Sequence, residues 1–124
     1  MARAYRVYTG ADGLTHSEIL KAFPEPAKNI QEMTARRGVL DGLKPLSVRF
    51  TTQAPGFFTD WHPQGRPVLI VTLSGGAEYS LSDGTVLRGG PGDVFLFEDD
   101  KSIGKGHSSL VPGNEPRLQL IISL

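Results

Sequence analysis

Asp60-Trp61-His62-Pro63 opens a stretch that runs through Pro67-Val68-Leu69-Ile70-Val71-Thr72-Leu73 and closes on Gly104-Lys105-Gly106-His107, and its reading decides the fold. Two of the three histidines stand at its ends. The segment from Pro67 to Leu73 is apolar except for Thr72, as in a short strand covered on both faces. Ser74-Gly75-Gly76 turns the chain, and Ala77, Tyr79 and Leu81 then alternate with Glu78, Ser80 and Ser82. Ser82-Asp83-Gly84 is a hairpin signal. Thr85 to Arg88 returns, Gly89-Gly90-Pro91-Gly92 turns again, and Asp93 to Phe97 forms another apolar strand. Folding is therefore expected to bring the two histidine ends together in one pocket.

The same pattern extends outward on both sides. From Leu46 the period is two, with Leu46, Val48 and Phe50 alternating with Ser47, Arg49 and Thr51, and the apolar set is assigned to the core. Phe57 to His62 reads as a second, shorter strand, with Trp61 and Phe57 or Phe58 assigned to the core, the alternative being an aromatic wall of a pocket. Beyond the acidic Glu98-Asp99-Asp100, read as a solvated loop, His107 to Val111 is a strand. Pro112-Gly113-Asn114 is a turn, and the last strand carries Leu118, Leu120, Ile122 and Leu124 on one face. Toward the N-terminus, Tyr5 to Tyr8 is a short strand stopped by Thr9-Gly10-Ala11-Asp12-Gly13. The segment with His16, Glu18, Ile19, Leu20 and Phe23 reads as an irregular arm over the body, its cluster of Asp12, His16 and Glu18 exposed. Asn29 and Glu32 have the spacing of a capping box for one short helix, closed by Gly38 and resting on the domain through Ile30 and Met33. Eight or nine short strands with turns every eight to twelve residues describe an all-β sandwich or barrel.

Composition narrows the function classes. A chain of 124 residues has the size of one domain, here an arm and helix over 1–45 and a barrel over 46–124. Thirteen basic and thirteen acidic residues leave no net field for polyanions or anionic membranes, so nucleic acid is not an expected partner. The absence of cysteine excludes thiolate catalysis and Cys-based metal sites. No run approaches the roughly 20 apolar residues of a membrane span, and the first residues lack the apolar core of a signal peptide. A cytoplasmic protein without membrane attachment is expected.

The order of elements from Asp60 onward resembles the cupin superfamily, small jelly-roll β-barrels. Cupins carry a first motif of two histidines flanking one residue, then a glutamate or glutamine and a glycine, and a second motif in which a Pro-Gly-Asp element leads a strand toward a histidine. Gly75 matches the glycine of the first motif. Pro91-Gly92-Asp93 with Gly104-Lys105-Gly106-His107 matches the second. The opening Arg6-Val7-Tyr8-Thr9-Gly10-Ala11-Asp12-Gly13 is similar to the start of small single-domain cupins of unassigned function. Two ligand positions depart from the pattern: Asp60-Trp61-His62 stands for His-x-His, and Val68 stands where the glutamate or glutamine belongs. The resemblance implies a cupin-type barrel with an N-terminal arm and one short helix, assembled as a homodimer.

Strand alternation puts Asp60 and His62 on one face, roughly 7 Å apart. With His107 they form one carboxylate and two imidazoles, a set acceptable to a divalent transition metal such as iron, manganese or zinc. The alternative is that Asp60 and His62 hydrogen-bond backbone at a strand end and His107 packs at the barrel mouth. Arg66, in the loop after His62, is a candidate fork for a ligand carboxylate. The expected site is a pocket of Asp60, His62, Arg66 and His107 that binds a small polar molecule. The alternative is a metal-dependent oxygenase, isomerase or lyase using Asp60, His62 and His107. Lys105 between glycines lacks the Gly-x4-Gly-Lys-Ser/Thr spacing of a nucleotide loop, and no Gly-x-Ser-x-Gly elbow is present.

Overall fold

A computed structural model of the chain describes residues 2–99 and 104–124. Ten strands and one short helix follow in order: β1 Ala4–Thr9, β2 Thr15–Leu20, α1 Ile30–Ala35, β3 Ser47–Gln53, β4 Phe58–His62, β5 Val68–Ser74, β6 Ala77–Leu81, β7 Val86–Gly89, β8 Val94–Glu98, β9 His107–Leu110 and β10 Arg117–Ser123. They form a six-stranded sheet, β2-β1-β8-β5-β10-β3, facing a four-stranded one, β4-β9-β6-β7. This is an all-β jelly-roll barrel, with one helix among the described residues.

The strand expected over Tyr5 to Tyr8 is present as β1, and the segment after it, expected as an irregular arm, begins with a second strand, β2, that completes a hairpin with it. β1 pairs antiparallel with β2 and parallel with β8, and Tyr5 and Val7 point inward beside Phe95 and Phe97. The Asp-Gly turn chemistry after Tyr8 closes that hairpin, with Gly10 N–H bonded to the Leu14 carbonyl. The arm proper begins only after Leu20. It lays Ala22 and Leu40 over the outer face of β1, β5 and β8, against Ala4, Val94, Leu69 and Val71.

The helix begins where its cap requires. Asn29 Oδ1 accepts the Glu32 N–H at 2.9 Å, while the Glu32 carboxylate reaches back one residue further than in a capping box, to the Lys28 N–H at 2.9 Å. Two expectations for it fail. The helix ends at Arg36 in an extended conformation and not at Gly38, and Ile30 and Met33 are exposed. Gly38 serves another purpose, since a Cβ there would collide with the Ala22 carbonyl.

The apolar core fills one end of the space between the sheets. Tyr79, Phe95, Phe97, Leu81 and Val7 are its largest fully buried side chains, and the Tyr5 and Phe95 rings stack with centroids 5.2 Å apart. Gly75, at φ +73°, passes the chain from β5 to β6 against the Pro116 carbonyl, a spot with no room for a side chain.

The assignment of faces on β3 and β10 is inverted relative to expectation. Leu46, Val48 and Phe50 are exposed, Phe50 by 66%, and the residues opposite them on β10, Leu120 and Ile122, share that outer face. The inward residues are Arg49, Thr51 and Gln53 on β3 and Arg117, Gln119 and Ile121 on β10. Alternation identifies two faces but not which one lies inside. Polar side chains point inward here because this end of the barrel is hollow. Phe57 and Phe58 are likewise exposed and Trp61 is half-buried, with Lys105 Nζ 4.1 Å from its ring centroid.

Candidate functional site

The hollow end is a cavity of about 330 Å³ between the two sheets. The six-stranded sheet contributes Arg49 and Gln53 from β3, Val68 and Ile70 from β5, and Arg117, Gln119 and Ile121 from β10. The four-stranded sheet contributes Thr59 and His62 from β4, Tyr79 from β6, and His107 and Ser109 from β9. The expected convergence of His62 and His107 is present: they are register partners on β4 and β9, their ring centroids 4.7 Å apart. Gly106, at φ +77°, makes this approach feasible, because a side chain there would run into the His62 carbonyl.

Each imidazole is oriented through Nδ1. The His107 Nδ1 lies 2.6 Å from Asp99 Oδ2, and the His62 Nδ1 lies 2.8 Å from the backbone carbonyl of Asp60. A carboxylate and a carbonyl only accept, so both Nδ1 atoms carry the proton and donate it. In the neutral rings the lone pair is then on Nε2. His107 is held further by the Phe97 ring, stacked at a centroid distance of 4.5 Å. Two basic nitrogens fixed in this way can accept a proton from a bound molecule, or return one to it.

Asp60 does not join them. Register along β4 and β9 runs Thr59 to Ser109 and then His62 to His107, so two residues on β4 face one on β9. This β-bulge shifts the phase of the strand: Thr59 and His62 line the cavity, and Asp60 is exposed with Oδ1 accepting the Trp61 N–H at 2.8 Å. The strict alternation that put Asp60 beside His62 is thus corrected. Arg66 is exposed in the loop outside the cavity lining, and Val68 does face the cavity. The donor set expected for a metal is therefore not assembled. Among the described residues no three His, Asp or Glu side chains are grouped to share an ion, and the cavity presents two imidazoles beside two guanidiniums.

Three residues of the site were missed in the sequence. Asp99, read as part of a solvated acidic loop, is fully buried; its carbonyl also accepts the Gln64 N–H at 2.8 Å, tying the loop after His62 to the end of β8. Glu98 pairs with Arg6 on the outer surface, and Asp100 lies outside the described residues. Arg117 and Gln119 are buried as well, with exposures of 2% and 3%. Arg117 Nε donates to Gln53 Oε1 at 2.9 Å, its Nη2 donates to the same oxygen, and its Nη1 donates to the Tyr79 hydroxyl at 3.0 Å. Burial raises the Tyr79 phenol above its ordinary range, against the opposing pull of the Arg117 charge. The signal available for Arg117 and Gln119 was the polar face of the last strand.

No family model matches the chain, and no curated protein does. Solved structures do. A Cupin 2 conserved barrel domain protein from Salinispora arenicola superposes with a TM-score of 0.53 at 18% identity, over 82% of this chain and 72% of that one. An uncharacterized conserved protein with a double-stranded β-helix domain from Klebsiella pneumoniae gives 0.52 at 21% identity, over 83% and 82%. A sugar phosphate isomerase of the cupin superfamily from Silicibacter pomeroyi gives 0.51 at 19% identity over 66% of this chain, which spans 52% of the isomerase. Among the described residues no helix is long and apolar enough to cross a membrane. Strand order, the Gly75 and Pro91-Gly92-Asp93 turns and these superpositions agree that the chain has the cupin-type barrel fold.

Proposed function

We propose that this cupin barrel binds a small polar molecule in the cavity between its sheets. The observation that carries the reading is the hollow polar end itself, where Gln53, Thr59, His62, His107, Ser109 and Gln119 turn hydrogen-bonding groups inward. A space of this size is at the lower end of ligand pockets, roughly 300–1,000 Å³. Bound there, a ligand displaces water from groups that would otherwise have to be satisfied by it, and His62 and His107 Nε2 supply acceptors, or proton-transfer groups if the molecule is transformed. A thermal-shift screen of small polar compounds tests the reading. Hits are expected to stabilise the protein by several degrees. They should be lost in Ile121→Phe, which fills the cavity from β10. A library that leaves the melting temperature unmoved would sink the idea.

The metal-dependent alternative, an oxygenase, isomerase or lyase through Asp60, His62 and His107, has two of its three residues in the cavity lining. Titrating protein purified without an affinity tag with zinc, manganese and ferrous iron discriminates. Uptake of about one equivalent, abolished by His62→Ala and by His107→Ala, would favour it over simple binding.

The exposed row Leu46, Val48 and Phe50 supports a second copy of the chain as partner. It runs from the residue before β3 along that strand, the edge of the larger sheet, where both an apolar surface and unpaired backbone groups ask for cover. A two-fold pairing puts the same row on both subunits, and apolar side chains meet apolar ones.

A further inference from the structure

Arg117 presents an imbalance that the rest of the cavity does not correct. Its guanidinium is always charged, and at 2% exposure it has lost nearly all contact with solvent. Its three hydrogen bonds go to an amide oxygen and a phenol hydroxyl, both neutral: Gln53 and Tyr79. The raised Tyr79 phenol stays protonated near neutral pH and supplies no counter-charge. Among the described residues no carboxylate is within salt-bridge distance of Arg117, and no Asp or Glu lines the cavity. Arg49 adds a second guanidinium to the same lining. A buried charge without an opposite partner is costly, and unlike a lysine this one cannot escape by losing its proton.

The cost has a use if the counter-ion arrives with the ligand. Of the five N–H groups of the guanidinium, three are engaged, leaving one on each Nη. Two N–H groups on neighbouring nitrogens are the fork that carboxylate and phosphate oxygens accept. Two positions further along β10, Gln119 gives its Nε2 to Thr51 Oγ1 at 2.9 Å, while its buried Oε1 has no partner among the described residues. That oxygen is an acceptor waiting for a hydroxyl or amide hydrogen. We infer that the molecule bound here is a small hydroxylated organic anion, its carboxylate or phosphate seated on Arg117 and a hydroxyl reaching Gln119. The inference rests on the binding role proposed for this cavity and narrows it to one class of ligand. The role that sequence reading gave to Arg66 passes to Arg117.

Calorimetric titration and thermal shift of the wild-type protein test this with glycolate for the carboxylate arm, glycerol 3-phosphate for the phosphate arm, glycerol as neutral control and sodium chloride at matched ionic strength. At least one anion should bind and stabilise while glycerol and chloride do not, and the arm that responds identifies the head group. Arg117→Gln, which keeps hydrogen-bonding capacity without the charge, should weaken that anion about a hundredfold. The exposed Arg49→Gln should weaken it about fivefold. Without anion, Arg117→Gln should melt no lower than wild type, because it removes an unbalanced charge. A merely structural arginine would lower the melting temperature equally with and without anion, overturning the inference. So would neither anion binding above the chloride control, a test that the wild type decides even if Arg117→Gln fails to fold. Neutral polar compounds binding where both anions fail would defeat this inference and leave the pocket standing. No binding of any kind would defeat both.

Discussion

The two ends of the space between the sheets are built on opposite plans. At the β1 and β8 end, Tyr5, Val7, Phe95 and Phe97 face inward and close-pack with Tyr79 and Leu81. At the β3 and β10 end, Arg49, Gln53, Arg117 and Gln119 face inward, and Val48, Phe50, Leu120 and Ile122 of the same strands face out. One sheet therefore carries a core on one half and a lined hollow on the other. The closed half supplies hydrophobic stabilisation, which grows with buried apolar area. The open half gives up that area for directed polar groups and leaves its apolar side chains on the outside. A strand of the second kind reads as an ordinary half-buried strand with its faces exchanged.

The sharpest way to break the contrast is to cut the closed half. Phe95→Ala removes a fully buried ring that touches Tyr5, Tyr79 and Phe97, and should cost about 3–5 kcal/mol in denaturant unfolding. A cost below about 1 kcal/mol would mean that the closed half is not the source of stability. On the open half, Phe50→Asp acts on the outward face. It should convert a dimer to a monomer in light scattering at micromolar concentration, and change the stability of the separated subunit by no more than about 0.5 kcal/mol. A wild-type protein that is already monomeric would show that no second copy covers this face.

The smallest effect lies at the hairpin end, where His16 bridges two carboxylates. Its Nε2 is 2.9 Å from both oxygens of Asp12, and its Nδ1 is 3.2 Å from Asp83 Oδ2. The Asp12 hydrogen bond raises the His16 pKa above its ordinary 6.5, and the same contact lowers that of Asp12. A histidine with a raised pKa in the folded state stabilises fully below its unfolded value, and that contribution disappears as pH rises through the folded value. Wild-type stability should therefore fall slightly from pH 6.5 upward relative to His16→Gln, as followed by melting temperature. Parallel curves for the two proteins would remove the bridge as a contributor.

Much of the barrel was legible because its punctuation is chemical. Ser74-Gly75-Gly76, Ser82-Asp83-Gly84 and Gly89-Gly90-Pro91-Gly92 separate β5, β6, β7 and β8 at the turns read in the sequence. Asn29 could be read as a cap because its side chain competes for the backbone wherever a helix begins. Burial was harder to read. The alternation of Leu46, Val48 and Phe50 with Ser47, Arg49 and Thr51 was seen correctly and turned the wrong way, since apolar-inside presumes a solid interior. Asp99 escaped because its neighbours Glu98 and Asp100 made it look like one of three solvated acids, whereas burial is decided by the direction of a single side chain at the end of β8. His62 and His107 were identified because a strand pair ending in histidines must bring them close. Asp60 was misplaced because a bulge leaves no composition of its own.

That bulge has a wider consequence. β4 works as a two-stroke gear with one tooth added: Thr59 and His62 engage the interior, and the added tooth turns Trp61 toward Lys105. With the bulge ironed out at the same length, Thr59 and His62, three residues apart, would fall on opposite faces and one of them would swing to the surface. The bulge is thus as much a determinant of the pocket as the identity of any residue lining it. A chain without the bulge would keep both side chains in the chamber only if it were one residue shorter between Thr59 and His62.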